Sequence, residues 1–144
     1  MKDYNRVYQS ESFGKEFEEL VVFALAEFLR KKYGANSYSF ATEVMDKIHG
    51  TDFTALEVPI DVTLNAKYKD HTSWLKSIDF NWLNVKLGLR TRNKVAKFEK
   101  PVLVLGFDGE ITRQNLAFII GIIKKNVEQI LEAAWDTYWE VVPE

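Results

Sequence analysis

The sequence contains no cysteine, which excludes a disulfide framework, a thiolate zinc site and a cysteine nucleophile together. Proline and glycine are too sparse to form a linker, and no internal repeat or low-complexity tract divides the chain. No apolar run approaches the roughly 18 residues that a membrane span requires. Met1 to Ser12 lacks the charged-then-apolar pattern of a signal peptide. A cytoplasmic protein with no membrane partner is therefore expected. A Walker loop, a glycine-rich dinucleotide fingerprint and a G-x-S-x-G elbow are also missing, which argues against nucleotide-driven chemistry and hydrolase triads.

What is present reads as one folded domain spanning residues 1–144. Apolar residues make up 47% and charged residues 28%, the balance of a chain that buries a core. Its length allows about two-thirds of the unfolded surface to be buried. The formal charge of −2 supplies no overall field, but the charge is unevenly placed. Lys86, Arg90, Arg92, Lys94, Lys97 and Lys100 are interrupted only by Glu99, whereas no Lys or Arg follows Asn126. Such asymmetry can make one face attractive to phosphates while the whole stays near neutral. Solvated strand and loop charges are the plainer account.

Apolar positions Phe13, Phe17, Leu20, Val21, Ala24, Leu25, Phe28 and Leu29 recur at helical spacing and predict a helix from Ser12 to Tyr33. Ser12 is its expected N-cap, and Gly34 follows its end. Thr51 to Leu56 and Val58 to Ala66 read as two strands joined by a tight turn. In the second, Ile60, Val62, Leu64 and Ala66 share one face, opposite Asp61, Thr63, Asn65 and Lys67. Trp82 to Arg90 alternates in the same way, with Val85, Leu87 and Leu89 against Asn84, Lys86 and Arg90. The continuous apolar run Pro101 to Phe107 suits a strand covered on both sides. Thr112 can then cap a final helix with a stripe from Leu116 to Tyr138. The pattern is that of a mixed α/β layer.

Two acids stand out. Asp52 lies in the GTDF segment after Gly50, and Asp61 lies on the polar face of the second strand. With a matching register they converge as oxygen ligands for a hard divalent ion. Surface acids are common, so the pair alone carries little weight. His49 and His71 lack helical metal spacing, and Trp74, Trp82, Trp135 and Trp139 fit a core or a dimer surface as well as base stacking.

Three segments together resemble the PD-(D/E)XK nuclease superfamily, particularly Mrr-like restriction endonucleases. GKEFEELVVFAL is similar to the family's Gly-x-x-Phe-Glu-x-x-Val start, through Gly14, Phe17, Glu18 and Val21. GTDF resembles its Gly-x-Asp signature, and IDVT its acid-x-Lys strand. The resemblance spans about Phe13 to Lys67. It implies a restriction-endonuclease-like mixed β-sheet flanked by an N-terminal and a C-terminal helix. It also implies Mg2+ or Mn2+ held by Glu18, Asp52 and Asp61, and hydrolysis of DNA. One position departs from the pattern: Thr63 stands where the family carries its catalytic lysine, and threonine cannot supply that positive charge.

A symmetric pairing of the second and third strands about His71 to Leu75 would bring Lys86 nearly opposite Thr63, making Asp52, Asp61 and Lys86 the expected catalytic set. Lys67 shares the face of Thr63, but about 13 Å along the strand. Arg90, Arg92, Lys94 and Lys97 are the expected nucleic-acid contacts. Three functions follow: a metal-dependent endonuclease, a nuclease-fold protein that has lost its chemistry and binds nucleic acid or a protein, and an interaction module unrelated to nucleases. A homodimer is expected because Ile119, Ile123, Leu131, Trp135 and Trp139 spread round more than one helical face.

Overall fold

The computed structural model describes residues 2–42, 51–66 and 69–143, with side chains from Ser12 onward. His49, Gly50 and Lys67 lie outside the described residues. The first helix, α1, runs Lys2–Tyr33. It starts well before Ser12, which therefore lies inside the helix and is not its cap. The expected apolar face holds: Phe17, Val21, Leu25 and Leu29 are fully buried. The helix ends at Gly34, whose φ of +97° is open to a residue without Cβ.

Six strands follow: β1 (Tyr38–Phe40), β2 (Phe53–Ala55), β3 (Val58–Leu64), β4 (Thr72–Asp79), β5 (Asn84–Arg92) and β6 (Lys97–Asp108). They form one mixed sheet in the order β1-β2-β3-β6-β5-β4. The β2–β3 hairpin turns tightly at Leu56 and Glu57, both at positive φ, as a two-residue hairpin turn of the mirror-image type requires. The PVLVLGF run is central as expected. Paired on both sides, β6 is parallel to β3 and antiparallel to β5, and Val102 to Phe107 are all buried.

Two expectations are corrected here. The segment expected as the loop between the second and third strands contains β4, an edge strand whose bulge at Leu75 interrupts its alternation. The third predicted strand, β5, does not pair with β3, because β6 lies between them.

Among the described residues the remaining α-helices are α2 (Leu116–Lys125) and α3 (Val127–Val141). The single final helix of the sequence reading breaks at Asn126, whose side-chain Nδ2 donates to the Ile122 carbonyl at 2.8 Å. Asn115, not Thr112, holds the N-cap position of α2, without a side-chain capping bond. Helices α1, α2 and α3 form one apolar cluster with Ile60, Val62, Leu87, Leu103, Leu105 and Phe107. That cluster takes up Ile119, Ile123 and Leu131, with Trp135 and Trp139 packed at its margin. The stripe that suggested a homodimer is therefore used within the chain.

Tyr138 fastens α3 to β6: its hydroxyl donates to the Pro101 carbonyl at 3.0 Å. Burial raises its pKa above the usual tyrosine value. An unfolded tyrosine ionises from about pH 10 while the folded one keeps its proton, so this contribution is intact below that pH and is lost as pH rises. Tyr138→Phe is expected to cost about 1 kcal/mol at neutral pH. It should also flatten the alkaline fall in stability. Urea midpoints of both proteins at about pH 7 and pH 11 check this, and parallel declines would refute it.

Candidate functional site

The sheet face opposite the helices carries the polar positions. Asp61 lies beside Val104 on β6, Val104 beside Gly88 on β5, and Gly88 beside Trp74 on β4. In the next row stand Thr63, Gly106, Lys86 and Ser77. This face is roofed in part by the chain itself. A Cβ at Gly106 would sit 2.5 Å from the Ala66 Cβ and 2.9 Å from Trp74 Cη2, and one at Gly88 would meet Trp74 Cε3 at 2.8 Å. The two glycines thus provide the space in which Trp74 and Ala66 lie against the strands.

On the same face Asp61 is 5% exposed. Its Oδ2 lies 2.7 Å from Lys69 Nζ and 3.6 Å from Arg90 Nη1. No hydrogen bond of good alignment reaches that oxygen or Arg90 Nε, so the triad is held by charge more than by directed bonds. Arg90 also lies over the Phe98 ring, with its Cζ 5.8 Å from the centroid. Neither Lys69 nor Arg90 was expected beside this acid. Arg90, expected to contact nucleic acid, has a side chain only 11% exposed and is spent on Asp61.

Lys86 was expected to approach Asp61 and does not. With β6 interposed it stands two strands from Thr63, about 10 Å at the usual spacing. Its ammonium pairs instead with Asp108 Oδ2 at 3.3 Å, and Asp108 Oδ1 accepts from the Ala66 N–H at 2.8 Å.

The other two acids have a common duty. Strand β3 outlasts β2, whose pairing stops at Phe53 and Ile60, so among the described residues no strand lies beside the next β3 N–H groups on that side. Asp52 Oδ2 accepts from the Val62 N–H at 2.9 Å, and Glu18 Oε2 from the Leu64 N–H at 3.3 Å. Each carboxylate replaces a missing backbone carbonyl, and a buried N–H left unpaired would be costly. Among the described residues no group of three His, Asp or Glu side chains is arranged to hold a metal ion. His71 is exposed in a turn at positive φ.

The basic stretch separates into two sets. Lys86 and Arg90 face acids on the sheet, while Arg92, Lys94, Lys97 and Lys100 are exposed at the far end of the β5–β6 hairpin. Arg92 and Lys97 are cross-strand partners. Between them Asn93 shapes the turn: its Oδ1 accepts from the Val95 and Ala96 N–H groups at 2.8 and 2.7 Å, and its own N–H donates to the Ala96 carbonyl at 2.9 Å. Lys94 has one distant acid, Asp70, at 4.0 Å.

The chain matches no family model, no curated protein and no solved structure.

Proposed function

We propose that this is a restriction-endonuclease-like α/β domain that binds DNA through its β5–β6 hairpin and does not cleave it. The observation that carries this reading is the division of the cations. Lys69 and Arg90 neutralise Asp61, and Lys86 pairs with Asp108, while Arg92, Lys94 and Lys97 on the hairpin are left exposed. An exposed cation on a protein surface gains from a partner that releases counterions when neutralised, and duplex DNA, with a charge every ~1.7 Å of its axis, is such a polyanion. The loss of chemistry follows from Thr63 at the lysine position and from the structural work of Glu18, Asp52 and Asp61.

Binding of a labelled duplex should be measurable at about 50 mM salt and weaken steeply as salt rises. Arg92→Ala with Lys97→Ala is expected to weaken it by roughly tenfold and make the log–log salt slope shallower by about 2, one for each lost phosphate contact. The pair Lys124→Ala and Lys125→Ala, exposed on α2, serves as the control and should change neither. Absence of binding at low salt, or equal loss in the control, would overturn the reading.

The nuclease alternative keeps one favourable observation. The Lys69 ammonium lies 2.7 Å from Asp61, so a cation is present beside the second acid although Thr63 cannot provide it. On that account Asp61 would share its carboxylate with a metal ion, and added Mg2+ would raise the melting temperature of wild type.

A further inference from the structure

Val95 is 84% exposed, the most exposed large apolar side chain among the described residues, and it stands at the hairpin tip. We infer that this tip enters the major groove of duplex DNA, with Val95 against the base edges and Arg92, Lys94 and Lys97 on the flanking phosphates. The inference rests on the DNA-binding reading and adds to it the groove and the contact within it.

One exposed valine is ordinary on a protein surface, so the case depends on its setting. Turns favour Gly, Asn, Asp, Ser and Pro, and a β-branched residue gains nothing there from packing. Asn93 fixes the turn by accepting two backbone N–H groups, so Val95 is presented on a shaped tip. The cross-strand pair below it is Arg92 opposite Lys97. Like charges directly opposite in a sheet destabilise it, and among the described residues neither has an acid within ion-pair distance. Glu99, close by in the sequence, is exposed, and Asp70 lies 4.0 Å from Lys94. An external anion would relieve the repulsion between Arg92 and Lys97, and a phosphate backbone is lined with them.

The dimensions favour one groove. Two strands about 4.8 Å apart with their side chains suit the major groove of B-form DNA, about 12 Å wide, which admits a two-stranded ribbon. The major groove of A-form RNA is deep and narrow and closed to side chains. Inside the DNA groove the apolar feature of base edges is the thymine methyl, the natural neighbour of a valine.

The test uses the full chain and three synthetic duplexes: dA·dT, the same duplex with uracil for thymine, and the corresponding RNA. Wild type is expected to bind dA·dT about fourfold more tightly than the uracil duplex, the effect of burying one methyl group, and to bind RNA more weakly than either. Val95→Ser should bind both DNA duplexes equally, with the salt slope of wild type. A wild type indifferent to the methyl group, a Val95→Ser that still discriminates, or RNA bound as tightly as DNA would each overturn groove entry, while a preserved salt slope leaves the DNA-binding reading standing. If wild type binds no duplex at low salt, both fall together.

Discussion

Asp61→Ala is expected to destabilise the protein by about 3 kcal/mol or more in urea denaturation. The carboxylate is almost completely enclosed, and its removal leaves the Arg90 guanidinium in the same enclosure without an opposite charge. Lys69, with a side chain 26% exposed, can turn towards water, but Arg90, at 11%, is hemmed in by Phe98. A broken buried pair costs more than an intact one contributes, because the surviving ion keeps its desolvation penalty. The combination Asp61→Leu with Arg90→Met should therefore recover most of the loss, and a double-mutant cycle would report a strong coupling between the two sites.

Added Mg2+ separates binder from nuclease. Asp61→Ala strands Arg90 under either reading, but an acid that also held a metal would let Mg2+ raise the melting temperature of wild type. The expectation is no melting shift with Mg2+ at about a hundredfold over micromolar protein, and no plasmid nicking. Metal-dependent nicking that disappears in Asp61→Ala while the fold survives would restore the enzyme.

The elements legible in the sequence are those whose periodicity is set by one dominant contact. Helix α1 has a single buried stripe, β3 one apolar face against the helices, and the β6 run two covered faces; each left its period in the residues. Strand β4 did not. It is an edge, its bulge at Leu75 shifts the register, and its exposed positions carry residues that a loop would also carry. The partner of β3 was illegible for a different reason. Alternation states which way side chains point but not which strand lies alongside, so β5 and β6 were interchangeable until the topology was known. That one exchange moved Lys86 to Asp108.

The acids show a further limit. Asp52 and Glu18 stand where a short strand leaves its neighbour's N–H groups unpaired, and a carboxylate that caps a backbone N–H leaves the same trace in a sequence as one that binds a metal. Lys69 lies in a polar connection with no periodicity, so nothing local tied it to Asp61. The exposed basic residues were legible as a group because Arg92, Lys94 and Lys97 are close in sequence; only burial separated Arg90 from them.

A substitution at Gly106 tests whether the roof over this face is as tight as the geometry indicates. The glycine is buried in the central strand, where it gives up the packing that any larger residue would supply, and strand interiors otherwise disfavour it. The reason is above it: a Cβ would lie 2.5 Å from the Ala66 Cβ and 2.9 Å from the ring tip of Trp74. The indole can tilt, but Ala66 is tied down by its N–H bond to Asp108 and can yield only by moving backbone. Gly106→Ala is accordingly expected to cost about 2–3 kcal/mol, the upper part of the range for overpacking, read as a lowered urea midpoint with unchanged slope. Adding Ala66→Gly removes the closest clash and should return about half of that loss, whereas the same change in wild type should only destabilise. A Gly106→Ala protein as stable as wild type would show that the Ala66 segment does not press on the sheet.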